Sequence, residues 1–445
     1  MASSRKSPRD KTLVDNVATI LNAHVPAGAR LVAGLSGGID SVVLLHLLKQ
    51  VARRQSFELA AVHVNHQLNP ASSQWAKFCR ALCRKLDVPL TVAKVVVPRE
   101  ASLEAAARKT RYAVYARLRA DFIVLAHNAD DQAETLLLQL LRGTGVKGGS
   151  AMPVAIARRH AAALLRPLLG VSRADIEHYA AAHGLEWVED DSNANIAFDR
   201  NFVRHRVLPV IAERFPAYRT TFARASRNFA DAAHLLEELA AIDIGPRQPM
   251  RLQKLRALST PRARNVIRRL LSLHGVAMPS EVRLDECVRQ AQTARNGSFA
   301  VDIGTHEFCA YDGELHVVAK YPVPESGFFR VWQGEARLDL PDLGVTLLMK
   351  RTKGAGINAL KLRSKPVTVR LREGGETFRP DARRPRRTLK NLLQEARVAP
   401  WMRERLPLLY SGDSLVFVPG IGIDIGFAAQ GQDPSFSPEF RPRSA

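Results

Sequence analysis

At 445 residues the chain exceeds one ordinary core, so about three domains are expected. Hydrophobic residues make up 46%, yet no apolar run is long enough to span a bilayer, and no apolar core follows the basic opening Met1-Ala2-Ser3-Ser4-Arg5-Lys6-Ser7. Membrane and secretory classes are therefore set aside and a cytoplasmic protein is expected, while 65 Lys and Arg against 43 Asp and Glu, a net charge of +22, favour a polyanionic partner, nucleic acid before membrane.

Leu13, Val14, Val17, Ile20 and Leu21 recur at helical spacing and suggest a helix packing onto a domain. Leu31 to Leu35 then reads as a buried strand, Ser36-Gly37-Gly38-Ile39-Asp40-Ser41 as a glycine turn, and Val42 to Leu48 as a buried helix. Two glycines let the backbone turn tightly, two serines supply hydroxyls, and the helix start turns free N–H groups to the turn; that geometry binds phosphate. Asp40 would repel a phosphate, so it either holds a divalent cation shared with the phosphates or caps the helix.

Phe57 to Asn65 is a second expected strand, closing on His63, Asn65 and His66. Ser72 to Leu86 reads as a helix with Trp75, Phe78, Cys79 and Leu82 on one face, and Leu90 to Val97 as a third strand. Ser102 is a plausible N-cap for a helix running to about Arg119, which carries Arg108, Arg111 and Tyr112; Asp121 to Ala126 is a fourth strand. The alternation predicts an α/β fold with a doubly wound parallel sheet, whose ligand lies beyond the carboxyl ends of the strands. The glycine turn, His63 to His66 and the segment after Ala126 fall on that rim.

The last of these is His127-Asn128-Ala129-Asp130-Asp131-Gln132-Ala133-Glu134-Thr135, leading into an apolar helix. Helix capping accounts for one or two acids there, but Asp131 and Glu134, three apart, share a helical face and could hold a metal or an ammonium group. Arg142 to Ser150 is a flexible glycine loop with two cations, Leu164 to Leu169 another strand, and Ser172 to His183 a helix. An acidic, amide-rich connection from Glu189 to Asn195 leads to Asp199-Arg200-Asn201-Phe202-Val203-Arg204, and the first domain ends near Pro216.

Tyr218 to Ala241 reads as one long helix, with helices over Leu252 to Gly275 and Glu281 to Ala291 and short strands near Ser298–Val301 and Leu315–Val318. Arg262, Arg264, Arg268 and Arg269 make this region basic, and Pro322, Pro324 and Gly327 mark a linker. The last region is densely cationic from Lys361 to Arg405, with Arg383, Arg384, Arg386, Arg387 and Lys390 near the aromatic Phe378 and Trp401, which points to nucleic-acid contact carried mainly by phosphates. The expected division is 1–216, 217–325 and 326–445, the middle part helical and the last a small α+β domain. Cys79, Cys83, Cys287 and Cys309 lack zinc spacing and read as small buried residues, the first two on a helix away from the rim.

No Gly-x-x-x-x-Gly-Lys-[Ser/Thr] occurs, so an ordinary P-loop NTPase is excluded. The SGGIDS of residues 36–41 resembles the PP-loop signature of ATP pyrophosphatases, an adenine nucleotide α-hydrolase-like fold. His127 to Thr135, Arg142-Gly-Thr-Gly145, Arg166-Pro167-Leu168 and Asp191-Ser-Asn followed by Arg200-Asn201 and Arg204 are similar, in order and spacing, to the tRNA(Ile)-lysidine synthetase family. The likeness covers nearly the whole chain and is densest before Phe215.

That resemblance implies that ATP with Mg2+ adenylates the C2 carbonyl oxygen of the wobble cytidine in a CAU-anticodon tRNA(Ile), after which the side-chain amine of free L-lysine displaces AMP to give lysidine. It implies phosphate binding by Ser36, Gly37, Gly38, Ile39 and Ser41, with Asp40 placing the metal. Asp131 and Glu134 would hold lysine's ammonium and accept its proton, and Arg200 or Arg204 would bind its carboxylate or the α-phosphate. His63 and His127 would line the ATP site, and the arginine-rich far end would bind tRNA. Asn128 stands where the family often repeats histidine, so no direct catalytic role is expected at 128. A tRNA thiolase would need paired catalytic cysteines or an iron–sulfur cluster, and an amidotransferase an attached glutaminase; neither is apparent, and the intact turn and acidic rim argue against a binding module that has lost catalysis. The oligomeric state stays open, a homodimer included.

Overall fold

β1 (Arg30–Gly34) is the central strand of a six-stranded sheet, and its residues Leu31, Val32 and Ala33 are buried because both faces are covered. The computed structural model describes residues 8–98, 103–158, 161–294, 298–320 and 327–442. The opening heptapeptide, Ser102, Pro322 and Pro324 lie outside that set. Two compact units cover residues 1–237 and 238–445.

In the first unit α1 (Pro8–His24) precedes β1 and packs Leu13, Val14, Val17 and Leu21 into the main core, as its spacing requires. Next come α2 (Ile39–Val51), β2 (Glu58–Asn65), α3 (Ser72–Leu86), β3 (Leu90–Lys94), α4 (Leu103–Ala116) and β4 (Phe122–Val124). α5 (Ala129–Leu141), the short α6 (Val146–Gly149), β5 (Ala155–Ile156), β6 (Ala163–Leu165) and α7 (Arg173–Ala182) complete the αβ layers. The strand order is β3-β2-β1-β4-β6-β5; every pairing is parallel except β5 with β6. Order reverses between β1 and β4, so the crevice at their carboxyl ends is the switch point where ligands bind in such sheets.

α2 is almost wholly buried, with seven apolar residues from Val42 to Val51 at 0% exposure, and so it forms the centre of the core. The second half of the expected glycine loop is helical, and its end is packed. It folds as α6, and a Cβ at Gly149 would meet the Phe229 ring at 2.9 Å. The strand expected over 164–169 stops at Leu165, and Arg166 is buried, 2% exposed, its Nη1 donating to the Pro153 carbonyl at 2.8 Å.

After α7, α8 (Asp199–Phe202) runs into a π-helical turn, Val203–Val207, and then α9 (Leu208–Arg214). The long helix α10 spans Tyr218–Ile244. In the second unit α11 (Leu252–Arg256), α12 (Thr260–Leu273) and α13 (Glu281–Thr293) cover a three-stranded antiparallel sheet, β7 (Phe299–Asp302), β8 (His306–Tyr311) and β9 (Glu314–Ala319). The helix expected from Leu252 to Gly275 is thus two helices, split at Ala257–Ser259, and β8 is an additional strand. Beyond residue 327 the unit holds a five-stranded and a four-stranded sheet with short helices between strands, an α+β arrangement. Tyr311 packs edge-on against Trp401 at 5.9 Å and accepts from Arg403 Nη2 at 2.9 Å, which joins these strands to the three-stranded sheet within one unit.

Candidate active site

The turn after β1 is shaped by its backbone. Gly37 has φ +97°, and a Cβ there would come 2.7 Å from Val188 Cγ2 and 3.4 Å from Cys79 Sγ. Conformation and space both demand glycine. The Val188 N–H donates to the Gly37 carbonyl at 3.0 Å, which holds the turn from outside. Ser41 Oγ accepts from the N–H groups of Ser36 and Gly37, each at 3.2 Å, and donates to the Gly38 carbonyl at 2.8 Å. Gly38 is the N-cap of α2 and no side chain caps it. First-turn N–H groups and loop donors therefore converge as they do in anion sites.

Asp40 is not the helix cap. Its Oδ1 accepts from Asn128 Nδ2 at 3.0 Å and its Oδ2 from Arg173 Nη1 at 2.6 Å. Burial raises its pKa above the usual carboxylate value; Arg173 works against that, Asp131 adds to it, and the Asn128 bond lowers it. The acid of the turn thus reaches across the switch point to the start of α5 on one side and α7 on the other.

α5 begins with a capping box. Asn128 Oδ1 accepts from the Asp131 N–H and Asp131 Oδ2 accepts from the Asn128 N–H, both at 3.0 Å. Asp131 spends one oxygen on this cap and turns the other to Arg200 Nη2 and Arg204 Nη2, each at 3.2 Å. Glu134, 0% exposed, accepts from Arg200 Nε at 2.8 Å, from Arg204 Nε at 2.6 Å and from Arg204 Nη2 at 3.0 Å. Although burial works against its charge, Arg204 has a raised pKa because Glu134 bonds it and Asp131 adds a second negative charge. The acids expected to face an ammonium group here face two guanidinium groups. The π-helical turn opens at Val203, between these arginines, as such turns do at functional sites.

The neighbouring acid, Asp130, accepts from the Arg173 N–H at 2.9 Å and from Arg219 Nε at 2.5 Å, so it binds the first turns of α7 and α10 to the rim.

The expected rim histidines divide. His63, 4% exposed, sits beneath the turn, with Nδ1 2.9 Å from the Leu35 carbonyl and 3.5 Å from Cys79 Sγ. It supports the loop from below. Cys79, expected away from the rim, lies directly under Gly37, but burial pushes its thiol up to about 12. It stays protonated and non-nucleophilic, which is what a packing residue requires. His127 closes the β4 segment with a buried Nδ1 that has no hydrogen-bond partner among the described residues, and burial brings its pKa down to about 4.

The cationic segment of the second unit is less free than its sequence suggests. Arg386 pairs with the buried Asp424 at 3.2 Å, Arg387 with Glu395 at 2.5 Å and Arg384 with Asp381 at 3.8 Å. Arg383 and Lys390 are exposed and make no ion pair among the described residues. Phe378 is fully buried in a core cluster and so is no stacking surface, while Trp401 is half-buried and packs on Tyr311 and His316.

Sequence reasoning passed over Arg173 and discounted Asn128. Asn128 had a readable signal, since an N-cap amide three residues before an acid marks a capping box. Arg173 had a fainter one: a cation in the first turn of a helix opposes the dipole and so implies another partner.

A turn that cradles phosphate with serine hydroxyls and helix N–H groups, without a Walker lysine, defines the PP-loop class, and a PP-loop domain matches residues 10–211. A TilS substrate binding domain matches residues 250–316 and a TilS substrate C-terminal domain residues 367–437. The chain is 44% identical to the tRNA(Ile)-lysidine synthase of Nitrosomonas europaea over 96% of its length and 95% of the relative's. It is 38% identical to that of Coxiella burnetii over 92% of each. The chain belongs to the tRNA(Ile)-lysidine synthase family. The solved U34-tRNA thiolase NcsA of Methanococcus maripaludis, with its [4Fe-4S] cluster, matches 50% of this chain and 79% of its own at 15% identity and a TM-score of 0.45, a likeness too loose to bear on the reaction. Among the described residues no helix is long and apolar enough to cross a membrane.

Proposed function

We propose that this rim adenylates the C2 carbonyl oxygen of the wobble cytidine in a CAU-anticodon tRNA(Ile) with ATP, and then presents the adenylated base to the side-chain amine of free L-lysine. The carbonyl oxygen gains AMP and pyrophosphate leaves; the C2–N bond then forms as the C2–O bond to AMP breaks, and a proton leaves the lysine nitrogen. The observation that carries this reading is the meeting of the phosphate turn with Asp40, Asp131, Glu134, Arg200 and Arg204 at one switch point.

The Ser36–Ser41 turn would hold the phosphates, Ser41 Oγ exchanging its contacts with the loop for phosphate oxygens. Asp131 and Glu134 would take lysine's ammonium and its proton when Arg200 or Arg204 moves to the lysine carboxylate or the α-phosphate. His127, neutral at pH 7, would line the nucleotide without adding charge, and His63 would keep Leu35 and the turn in register.

The donor set suits magnesium. Among the described residues no group of three or more His, Cys, Asp or Glu could enclose a metal, but the Asp40 carboxylate beside a phosphate turn would hold a hard cation that is bound mainly through the phosphates. When bound there, Mg2+ would supply charge neutralisation to the pyrophosphate as it leaves.

We assign residues 1–216 to this chemistry and 217–325 and 326–445 to tRNA binding, with Arg383 and Lys390 the phosphate-reaching cations and Arg384, Arg386 and Arg387 beside them. Purified protein given CAU-anticodon tRNA(Ile), ATP and labelled lysine is expected to place label in the tRNA and release one pyrophosphate per lysine. Absence of label with folded protein and competent tRNA would overturn the reading.

A further inference from the structure

Asp40, proposed above to place the divalent ion, faces a cation of this chain. Arg173 Nη1 lies 2.6 Å from Asp40 Oδ2, while Arg173 Nε is held by Glu177 Oε1 at 2.8 Å and the Arg173 backbone N–H by Asp130 Oδ2 at 2.9 Å. The residue is therefore anchored at its backbone, while Glu177 and Asp40 share its planar guanidinium, so that group leaves Asp40 only by turning as a whole about the side-chain torsions. Asp40 and Arg173 keep 28% and 42% of their side chains exposed, so a ligand in the turn reaches both. No dipole benefit explains a cation here, since Arg173 occupies the first turn of α7, where the helix field disfavours it.

We propose that Arg173 is a built-in counter-ion that keeps Asp40 closed to divalent cations until nucleotide arrives, and that then exchanges Asp40 for the phosphates. This rests on the reading of Asp40 as the magnesium-side residue. Without nucleotide, a metal ion gains one carboxylate and must displace a guanidinium at 2.6 Å to do so. With nucleotide, the triphosphate supplies the remaining oxygen ligands and also a new anion for the released guanidinium, which can bind phosphate with two donors. The backbone bond to Asp130 keeps the freed Arg173 beside the turn. Metal and nucleotide affinities are thereby coupled, and by linkage each raises the other equally. Arg173 meets the nucleotide phosphates in this scheme and is distinct from the groups that meet lysine.

The test is Mn2+ affinity by electron paramagnetic resonance, with and without a non-hydrolysable α,β-methylene ATP, in native protein and Arg173→Met. Native protein is expected to bind Mn2+ weakly alone and far more tightly with the analogue. In Arg173→Met, Mn2+ alone is expected to bind on the order of tenfold tighter and the analogue alone on the order of tenfold weaker, while Mn2+ affinity in the analogue complex stays near native, shrinking the coupling by about tenfold. Should Arg173→Met fail to fold, Arg173→Gln removes the charge while still able to donate to Asp40 and carries the same expectations. Affinity for Mn2+ alone within twofold of native in the folded variant, or unchanged analogue affinity, overturns the proposal, because a residue that merely anchors α7 would move neither. Asp40→Asn separates the two readings: if it leaves Mn2+ binding in the nucleotide complex intact, the magnesium assignment itself fails, whatever Arg173 does.

Discussion

Asn128 joins the two acids of the site through one amide: its Nδ2 donates to Asp40 Oδ1 at 3.0 Å while its Oδ1 accepts from the Asp131 N–H at 3.0 Å. Buried itself, it ties the phosphate turn to the start of α5. Asn128→Ala should lose both contacts, costing about 1 kcal/mol for the cap and leaving Asp40 unoriented. Asn128→Asp should keep the cap yet set a third carboxylate against Asp40. Both variants are expected to lower pyrophosphate release at least tenfold and to lower the unfolding midpoint, but the loss in Asn128→Asp, which comes from carboxylate repulsion, should shrink as pH falls while that in Asn128→Ala should not. Stability losses with the same pH dependence in the two would disprove the division of labour.

Glu134 is held by two arginines and is fully buried. Replacing it with Gln leaves Asp131 as the one carboxylate facing Arg200 and Arg204, and because both arginines are partly screened by solvent the loss is about 1–3 kcal/mol. Glu134→Gln is expected to shift the urea midpoint downward by that order and to abolish lysine transfer. A variant of native stability would show that the arginines have other partners.

His127 predicts a pH dependence with a definite sign. Its folded pKa is brought down to about 4, chiefly by burial, with Arg166, Arg200 and Arg108 adding and Asp131 opposing, whereas the unfolded side chain titrates near 6.5. Between those values the unfolded state binds more protons, so stability falls as pH drops from 6.5 towards 4 and is unaffected above. Asp40, whose pKa is raised, works in the opposite sense. The difference between native protein and His127→Gln isolates the histidine: the variant should show a flatter decline in stability over that window. Identical slopes would refute the assignment.

Gly37→Ala tests the turn. The left-handed backbone alone costs about 1–2 kcal/mol, and the added methyl must displace Val188. Equilibrium dialysis with ATP should show nucleotide binding lost in a protein that retains its helical circular dichroism.

The cations of the second unit should separate by whether they are already paired. Arg383→Ala and Lys390→Ala are each expected to weaken tRNA binding and to lower the slope of log affinity against log salt by about 0.7. Arg386→Ala leaves the buried Asp424 without its guanidinium and should lower the thermal midpoint of the protein instead. A reduced salt slope in Arg386→Ala with native stability would reverse the assignment.

The rim could be read in advance because its parts are local. Each strand end, glycine turn and helix start is encoded within about ten residues, and parallel alternation places all of them on one edge. What escaped was non-local. Arg173 meets Asp40 across 133 positions, and Arg387 meets Glu395 on a helix it precedes, so a run that reads as free charge is partly neutralised. Cys79 appeared remote because α3 was placed by its own periodicity, which says nothing of the turn above it. β8 was missed because His306 and Glu307 obscure the apolar run from Phe308 to Ala310. The π-helical turn has no sequence mark, and its geometry arises where Arg200 and Arg204 must both reach Glu134.

At the rim, Asp40 is matched to Arg173, Asp130 to Arg219, and Asp131 and Glu134 to Arg200 and Arg204. Such a surface is self-screened: a simple anion or cation arriving alone finds every opposite charge already answered and gains little by intruding. A ligand that brings both signs can instead trade partners pair for pair, conserving ion contacts throughout. Free lysine, an amino acid with carboxylate and ammonium groups, is such a ligand, and so is a nucleotide accompanied by its cation. The rim thus discriminates by ionic bookkeeping before shape is consulted, and its affinity for these small substrates should depend far less on salt than the affinity for tRNA.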